Sequence, residues 1–343
     1  MLEITFLQGL WFVLIAILIV GYFILDGLDL GIGVLYPFIQ KSEYDKALMR
    51  RAVGPIWDGN EVWLLTAGGA LFAAFPPAYA TSFSGFYLAI MLVLFGLIAR
   101  AVSLEFRHHD PALKKIWDNF FFIGSLLPAL LLGVAVGNIV GGIELNAHGD
   151  YIGGFFALLN PFALVCGVLG LVQMILLGSS WLTVKAQTNE PIYKRAQIIR
   201  TFSTVALVVF TLIAMALFIT TPQYAALGSG NKIVGFIFLA LIALCVLVSF
   251  ALSSKGKDLP NHIALSVICV GLVGMAAAGI FPSLIPATDP ALSITVANAA
   301  SSEYALGAMS IIVCIGLPLV LLYHVVIYRT FRGKITKDDL TDY

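Results

Sequence analysis

Positive charge in this chain falls in every second gap between long apolar stretches, and that alternation constrains the fold more than any other feature. Of its nineteen Lys and Arg residues, eighteen obey the pattern. Lys41, Lys46, Arg50 and Arg51 come after the first apolar stretch, and Arg100, Arg107, Lys114 and Lys115 after the third. Lys185, Lys194, Arg195 and Arg200 come after the fifth, Lys255 and Lys257 after the seventh, and Arg329, Arg332, Lys334 and Lys337 close the chain. The other gaps, near 76–81, 141–156, 221–232 and 284–304, contain only Lys232. Cytoplasmic loops of membrane proteins retain Lys and Arg. The pattern therefore predicts an all-α polytopic membrane protein with its N-terminus outside, its C-terminus in the cytoplasm and an odd number of spans.

The expected number is nine, at 6–25, 57–75, 82–102, 118–140, 157–178, 201–220, 233–253, 263–283 and 305–328. Each approaches the roughly 20 residues that a spanning helix needs. Backbone polar groups in lipid must be satisfied within the segment, and stretches of this length do so as helices. Asp58 and Glu61 make the second span the weakest, yet removing it would break the charge alternation in the rest of the chain. Charged residues are 11% of the chain, against about 25% in soluble domains. The longest polar segments, 40–56, 103–117, 185–200 and the tail from Arg329, fall short of the ~50 residues of an independent domain. The expectation is one integral membrane domain over 1–343. Glu3 replaces the basic flank of a signal peptide, so no cleaved leader is expected. A formal net charge of zero gives no sign of nucleic-acid binding.

Acids within spans are costly and mark functional sites. Asp26 and Asp29 close the first apolar stretch at a spacing that places both on one helical face. Asp58 and Glu61 open the second at the same spacing, between Trp57 and Trp63, and Glu105 ends the third. By the charge pattern all five lie toward the cytoplasm. Three readings compete for them. They could be structural, capping helix ends or paired with Arg51, Arg100 or Arg107. They could line a hydrated path for proton uptake, since carboxyls pass protons along water chains. They could coordinate a cation. The path is favoured, because five acids on three adjacent helices exceed what capping requires and other polar ligands within the membrane are sparse.

Two glycine-rich pieces, GLDLGIG (27–33) and TAGGALFAA (66–74), lack the strand–loop–helix context of a nucleotide loop. Close helix approach explains both. Cys166, Cys245, Cys269 and Cys314 lie in spans without metal-ligand spacing and read as packing residues. Haem in membrane helices is held by His or Met from span interiors. Here His108 and His109 lie in an inner loop, His148 in an outer one, and His262 and His324 near inner span ends. The chain alone is expected to bind no haem and no metal.

The runs DGLDLGIGVLYPF (26–38), GPIWDGNEVWLLTAGGALFAAFP (54–76), ALLNPFAL (157–164), IFPSLIPATDP (280–290) and FRGKIT (331–336) resemble subunit II of the bacterial cytochrome bd quinol oxidases, in order and nearly end to end. The resemblance implies nine transmembrane helices, arranged as two four-helix bundles plus a peripheral helix, in the bacterial inner membrane. It implies a complex that oxidises quinol outside and reduces O₂ to water with cytoplasmic protons. Haems b558, b595 and d would sit in a partner, subunit I, with or without a small single-helix accessory subunit. Some members also bind a structural quinone in this subunit. Asp26 and Asp29 match the family's D-G-x-D pair, Asp58 matches the acid of W-D-G-N, and Glu105 falls where an acid ends the third helix. Glu61 is the least secure, because relatives carry Gln there. The alternative of another class is a proton-coupled secondary transporter, though the sequence has no second acid cluster in its later half.

Overall fold

Each apolar stretch becomes a helix, and some of these helices begin at a capping side chain. In the computed structural model, which describes residues 4–340, helix α1 (Phe6–Ile39) begins at Thr5. The Thr5 hydroxyl accepts from the Gln8 N–H while the Gln8 side chain accepts from the Thr5 N–H, a reciprocal cap for two orphan donors. Ser42 caps α2 (Glu43–Val53), which carries acids in its first turn and Arg50 and Arg51 in its last, complementing the helix dipole at both ends. Then come α3 (Trp57–Ala74), α4 (Pro76–Gly85), α5 (Tyr87–His109) and α6 (Lys114–Gly141). Asn160 caps α7 (Pro161–Lys185), after which come α8 (Pro191–Ile219), α9 (Pro222–Ala226), α10 (Ser229–Ser254) and α11 (Asp258–Ile280). A hairpin of two short antiparallel strands, β1 (Ser283–Ile285) and β2 (Ile294–Thr295), precedes α12 (Val296–Ala299) and α13 (Glu303–Thr330).

Among the described residues, eight helices are long and apolar enough to cross a membrane: α1, α5, α6, α7, α8, α10, α11 and α13. The protein is thus an all-helical polytopic membrane protein. Helix α3 has 18 residues but is not among the eight. Its first two turns carry Asp58, Asn60 and Glu61, which dilute an otherwise apolar run.

The first span differs from the expectation. Asp26 and Asp29 do not close it, because α1 runs on for 34 residues in all, and every residue from Asp26 to Tyr36 is buried. The continuation is wrapped by protein on all sides, packing against α6 and α7. The glycines explain how the helices come so close. A Cβ on Gly31 would sit 1.8 Å from the Met174 carbonyl oxygen, and one on Gly178 would sit 2.5 Å from the Gly31 carbonyl carbon. Helices α1 and α7 therefore cross backbone to backbone. The second glycine-rich piece behaves otherwise, since Gly69 has nothing within 4 Å of a Cβ position.

Around the central α1 stand α3, α6, α7 and α11, with α5 against α6, α8 against α7, and α10 against α11. Helix α13 lies at the edge against α1 and α3. Only 6% of its most apolar 18 residues is buried in the chain. At the opposite end from the α2 helix, the 143–151 loop bridges to Ala287, and together with the β hairpin it covers one end of the bundle.

Candidate functional site

The buried stretch of α1 presents Tyr22, Asp26 and Asp29 along one face, spaced by four and three residues. Arg100, four turns into α5, meets that face. Its Nη1 donates to Asp26 Oδ1 at 2.6 Å, and both side chains are 0% exposed. The Arg100 Nη2 lies 3.5 Å from Glu61 Oε1, in the second turn of α3. One residue before, Asn60 donates from Nδ2 to Asp29 Oδ2 at 2.8 Å, and its own Oδ1 accepts from the Tyr328 hydroxyl of α13 at 3.2 Å. Four helices thus supply one cluster of three carboxyls, one guanidinium, one amide and two phenols. Trp63, on the next turn of α3, donates from its indole nitrogen to His324 Nε2 at 3.2 Å and ties α3 to α13 beside the cluster.

The cluster is not saturated by protein groups. Asp26 Oδ2, Asp29 Oδ1, Arg100 Nε and the Tyr22 hydroxyl are all buried and make no protein hydrogen bond. Buried polar atoms are nearly always paired, and those without a protein partner are typically served by internal water. Exposure grades along α3: Asp58 is exposed, Glu61 is 23% exposed at its side chain, and Asp26 is fully enclosed. One turn separates Asp58 from Glu61.

The five expected acids therefore divide. Asp26, Asp29 and Glu61 converge on Arg100. Asp58 sits at the surface in the first turn of α3, where its Oδ1 accepts from the Gly59 N–H at 2.7 Å. Glu105 is exposed near the end of α5 and forms no ion pair with a described residue. Of the basic partners considered for the acids, Arg100 is the one that reaches them. Arg107 instead donates from Nε to Asp118 Oδ1 at 2.5 Å and from Nη2 to Glu43 Oε2 at 2.9 Å. Asn60, Tyr22 and Tyr328 belong to the site although their residue types carried no signal of their own. Tyr22 could have been found from its position one turn before Asp26 in an apolar helix.

A second charged group lies at the α2 end of the bundle. Lys46 bridges Glu43 at 2.9 Å and Asp118 at 3.0 Å, while the Tyr36 hydroxyl donates to Asp118 at 2.8 Å. The ammonium of Lys46 and the guanidinium of Arg107 hold the Glu43 carboxyl down at about 2. These pairs fasten α2 to α5 and α6.

The five histidines do not converge. His108, His109 and His148 are exposed, His262 packs on Trp181 with Nδ1 3.3 Å from the Ser180 hydroxyl, and His324 takes the Trp63 hydrogen bond.

The family model for cytochrome bd terminal oxidase subunit II matches residues 7–331. A Haemophilus influenzae protein named probable cytochrome oxidase subunit 2 is 34% identical, over 98% of this chain and 97% of its own length. Cytochrome bd-I ubiquinol oxidase subunit 2 of Escherichia coli is 33% identical, over 99% and 98%. Cytochrome bd ubiquinol oxidase subunit 2 of Bacillus subtilis is 31% identical, over 98% and 99%. Among solved structures, the bd oxidase from Geobacillus thermodenitrificans shares the fold, with a TM-score of 0.79 at 16% identity over 95% of this chain and 99% of that one.

Proposed function

The chain belongs to the cytochrome bd terminal oxidase subunit II family and is a subunit of a terminal quinol oxidase, and from that premise we propose that its carboxyl cluster takes up protons for oxygen reduction. Its partner is a subunit I, in which the haem of the complex resides. Membership of the family favours the oxidase over the secondary transporter. The observation that carries the proton reading is the set of enclosed carboxyl oxygens on Asp26 and Asp29 that no protein group satisfies. Arg100 balances one carboxylate, which leaves the others free to accept and pass on a proton. Asp58 is the entry group, exchanging with cytoplasmic water. Glu61, one turn inward, relays to Asp26, and Asn60 and Tyr328 hold Asp29 in place. Glu105 stands as a second surface acid that collects protons near the same mouth.

The same reading makes α3 a ninth span. Its 18 residues measure about 27 Å at 1.5 Å per residue, close to the ~30 Å of the hydrocarbon core. Val62, Leu65 and Phe72 give it an exposed apolar stripe suited to lipid or to the partner subunit. The N-terminus is then outside and the tail after Arg329 cytoplasmic. The chain forms one membrane domain and holds no haem itself, a reading supported by the two histidines packed in the bundle, His262 and His324, whose rings are engaged with Ser180 and Trp63.

Asp58→Asn tests the proton role in the intact oxidase. The substitution keeps the shape and the hydrogen bond to Gly59 but cannot ionise. Assembly and the haem spectrum should be unchanged while oxygen consumption falls at least about tenfold, which is roughly 1.4 kcal/mol on the barrier. Full turnover in the variant across the working pH range would reduce Asp58 to a structural role.

A further inference from the structure

Most inner-side cations of this chain that lie against the protein have a carboxylate at hand: Lys46 and Arg107 have Asp118 and Glu43, Arg195 has Asp45 at 2.7 Å, and Arg200 has Asp258 at 3.2 Å. Lys185 departs from this rule. It lines a cavity of about 110 Å³ where the ends of α2, α7 and α13 meet the tail, together with Arg51, Arg332, Lys334, Trp181 and Tyr328. The one acid among the described lining residues, Asp339, is committed to its own turn. The Asp339 Oδ2 accepts from both the Thr336 N–H and the Thr336 hydroxyl at 2.7 Å; these bonds, and to a smaller degree the Arg51 guanidinium, hold its carboxyl below the usual range.

The cavity is built rather than incidental. The FRGK run turns at Gly333, whose φ of +103° is a conformation that favours glycine. The turn lays the tail back on α7, where the Ile335 N–H donates to the Lys185 carbonyl at 2.7 Å and the Lys334 ammonium donates to the Ala186 carbonyl at 2.7 Å and the Thr183 carbonyl at 3.2 Å. Lys334 therefore serves the free carbonyls at the end of α7. Lys185 is different. It is buried, its ammonium donates to the Phe331 carbonyl and sits 4.8 Å from the Trp181 ring centre, and no carboxylate of a described residue pairs with it. An ammonium has three N–H donors, and a buried cation without a counter-charge is costly.

We propose that this pocket binds a phosphate group, carried either by the headgroup of an anionic phospholipid in the adjacent leaflet or by a free solute. Basic pockets between helix ends on the cytoplasmic side suit such headgroups. Lys185 supplies the inner charge and Arg332 a flank, beside Arg51, whose Nε already donates to the Asp339 carbonyl at 3.2 Å, and Trp181 and Tyr328 form a wall along which the apolar part of a lipid can leave. The pocket shares the Tyr328 ring with the carboxyl cluster but none of its charged groups, so its test does not depend on the proton role.

Hydrogen exchange of the 331–340 amides in the intact two-subunit oxidase tests this. The complex is placed in nanodiscs of phosphatidylglycerol or of phosphatidylcholine, and separately in detergent with inorganic phosphate. Slower exchange in phosphatidylglycerol than in phosphatidylcholine, reduced about fivefold in apparent affinity for each cation removed, supports a lipid source. Slowing by inorganic phosphate in detergent supports a free solute. Arg332→Gln is a surface change that should leave folding intact. Lys185→Gln separates the pocket from general attraction of a basic tail to an anionic surface, because Lys185 is buried. Exchange that ignores both lipid and phosphate, as it would if a carboxylate of subunit I filled the cavity, overturns the proposal. So does an equal effect of the two lipids, or a response unchanged in both variants.

Discussion

Arg100 holds the site together at the level of single residues. It pairs with Asp26 and reaches Glu61 with no exposed surface of its own. Removing one partner of a buried pair leaves an uncompensated charge and costs about 3–5 kcal/mol. Arg100→Met should therefore lower the thermal stability and yield of assembled complex, and Asp26→Asn in the same chain should restore part of it. Equal losses in the single and double variants would show that the two residues do not act as a pair. Glu43 offers a pH test at the surface. Its carboxyl is held at about 2 by Lys46 and Arg107, below the ~4.3 of an unfolded chain. Its contribution to stability is thus fully present above about pH 4.3 and is lost as pH falls toward 2. Wild type should melt above Glu43→Gln at pH 6, and the gap should narrow by pH 3 and close only near pH 2; a constant gap would contradict the ion pair. The sequence exposed the acids of the cluster because carboxylates in apolar runs are conspicuous. It did not expose Asn60, Tyr22 or Tyr328, which are ordinary residue types in such helices and join the cluster only through what they touch. Periodicity gives the face a residue occupies, and it is silent on which helix arrives there, so Asp58 and Glu105 could not be told apart from Asp26 before the helices were packed.

Helices, as elements, were legible where apolar length alone decides the matter, and illegible where polar residues sit inside a span. Hydropathy ends the first stretch at Asp26 because it charges carboxylates the cost of meeting lipid. The chain instead buries them against Arg100 and Asn60, so α1 continues to Ile39. Helix α3 shows the reverse effect, its apolar body diluted by the residues that serve the site. The α1–α7 crossing gives the sharpest test at this scale. Gly31→Ala would force a methyl into the Met174 carbonyl. Overpacking of this kind typically costs about 1–3 kcal/mol, and here the obstacle is backbone. Assembled oxidase should fall in yield and thermal stability for Gly31→Ala, while Gly69→Ala, which meets open space, should match wild type. Equal behaviour of the two would mean that the helices do not cross at Gly31.

For the whole molecule, the eighteen-to-one division of basic residues is the basis of the proposed orientation. Reporters fused to the C-terminus and into the loop at Ala147 should report opposite sides, cytoplasmic and external respectively. Activity of the C-terminal fusion only outside would remove the nine-span arrangement. Charge could give the sidedness of the loops, but not the order in which helices pack, which depends on glycine contacts and buried pairs distributed along the entire chain. That order leaves helix α13 in an unusual position. It is the least enclosed of the long helices, yet it supplies the Tyr328 hydroxyl to Asn60 and receives the Trp63 indole at His324. The wall of the acid cluster on that side is one helix thick. Tilting of a span to match bilayer thickness costs only fractions of a kcal/mol per Å, and α13 has few neighbours within its own chain to resist it. The thickness of the surrounding lipid thus has a short mechanical route to Asp29, through two hydrogen bonds and past none of the core.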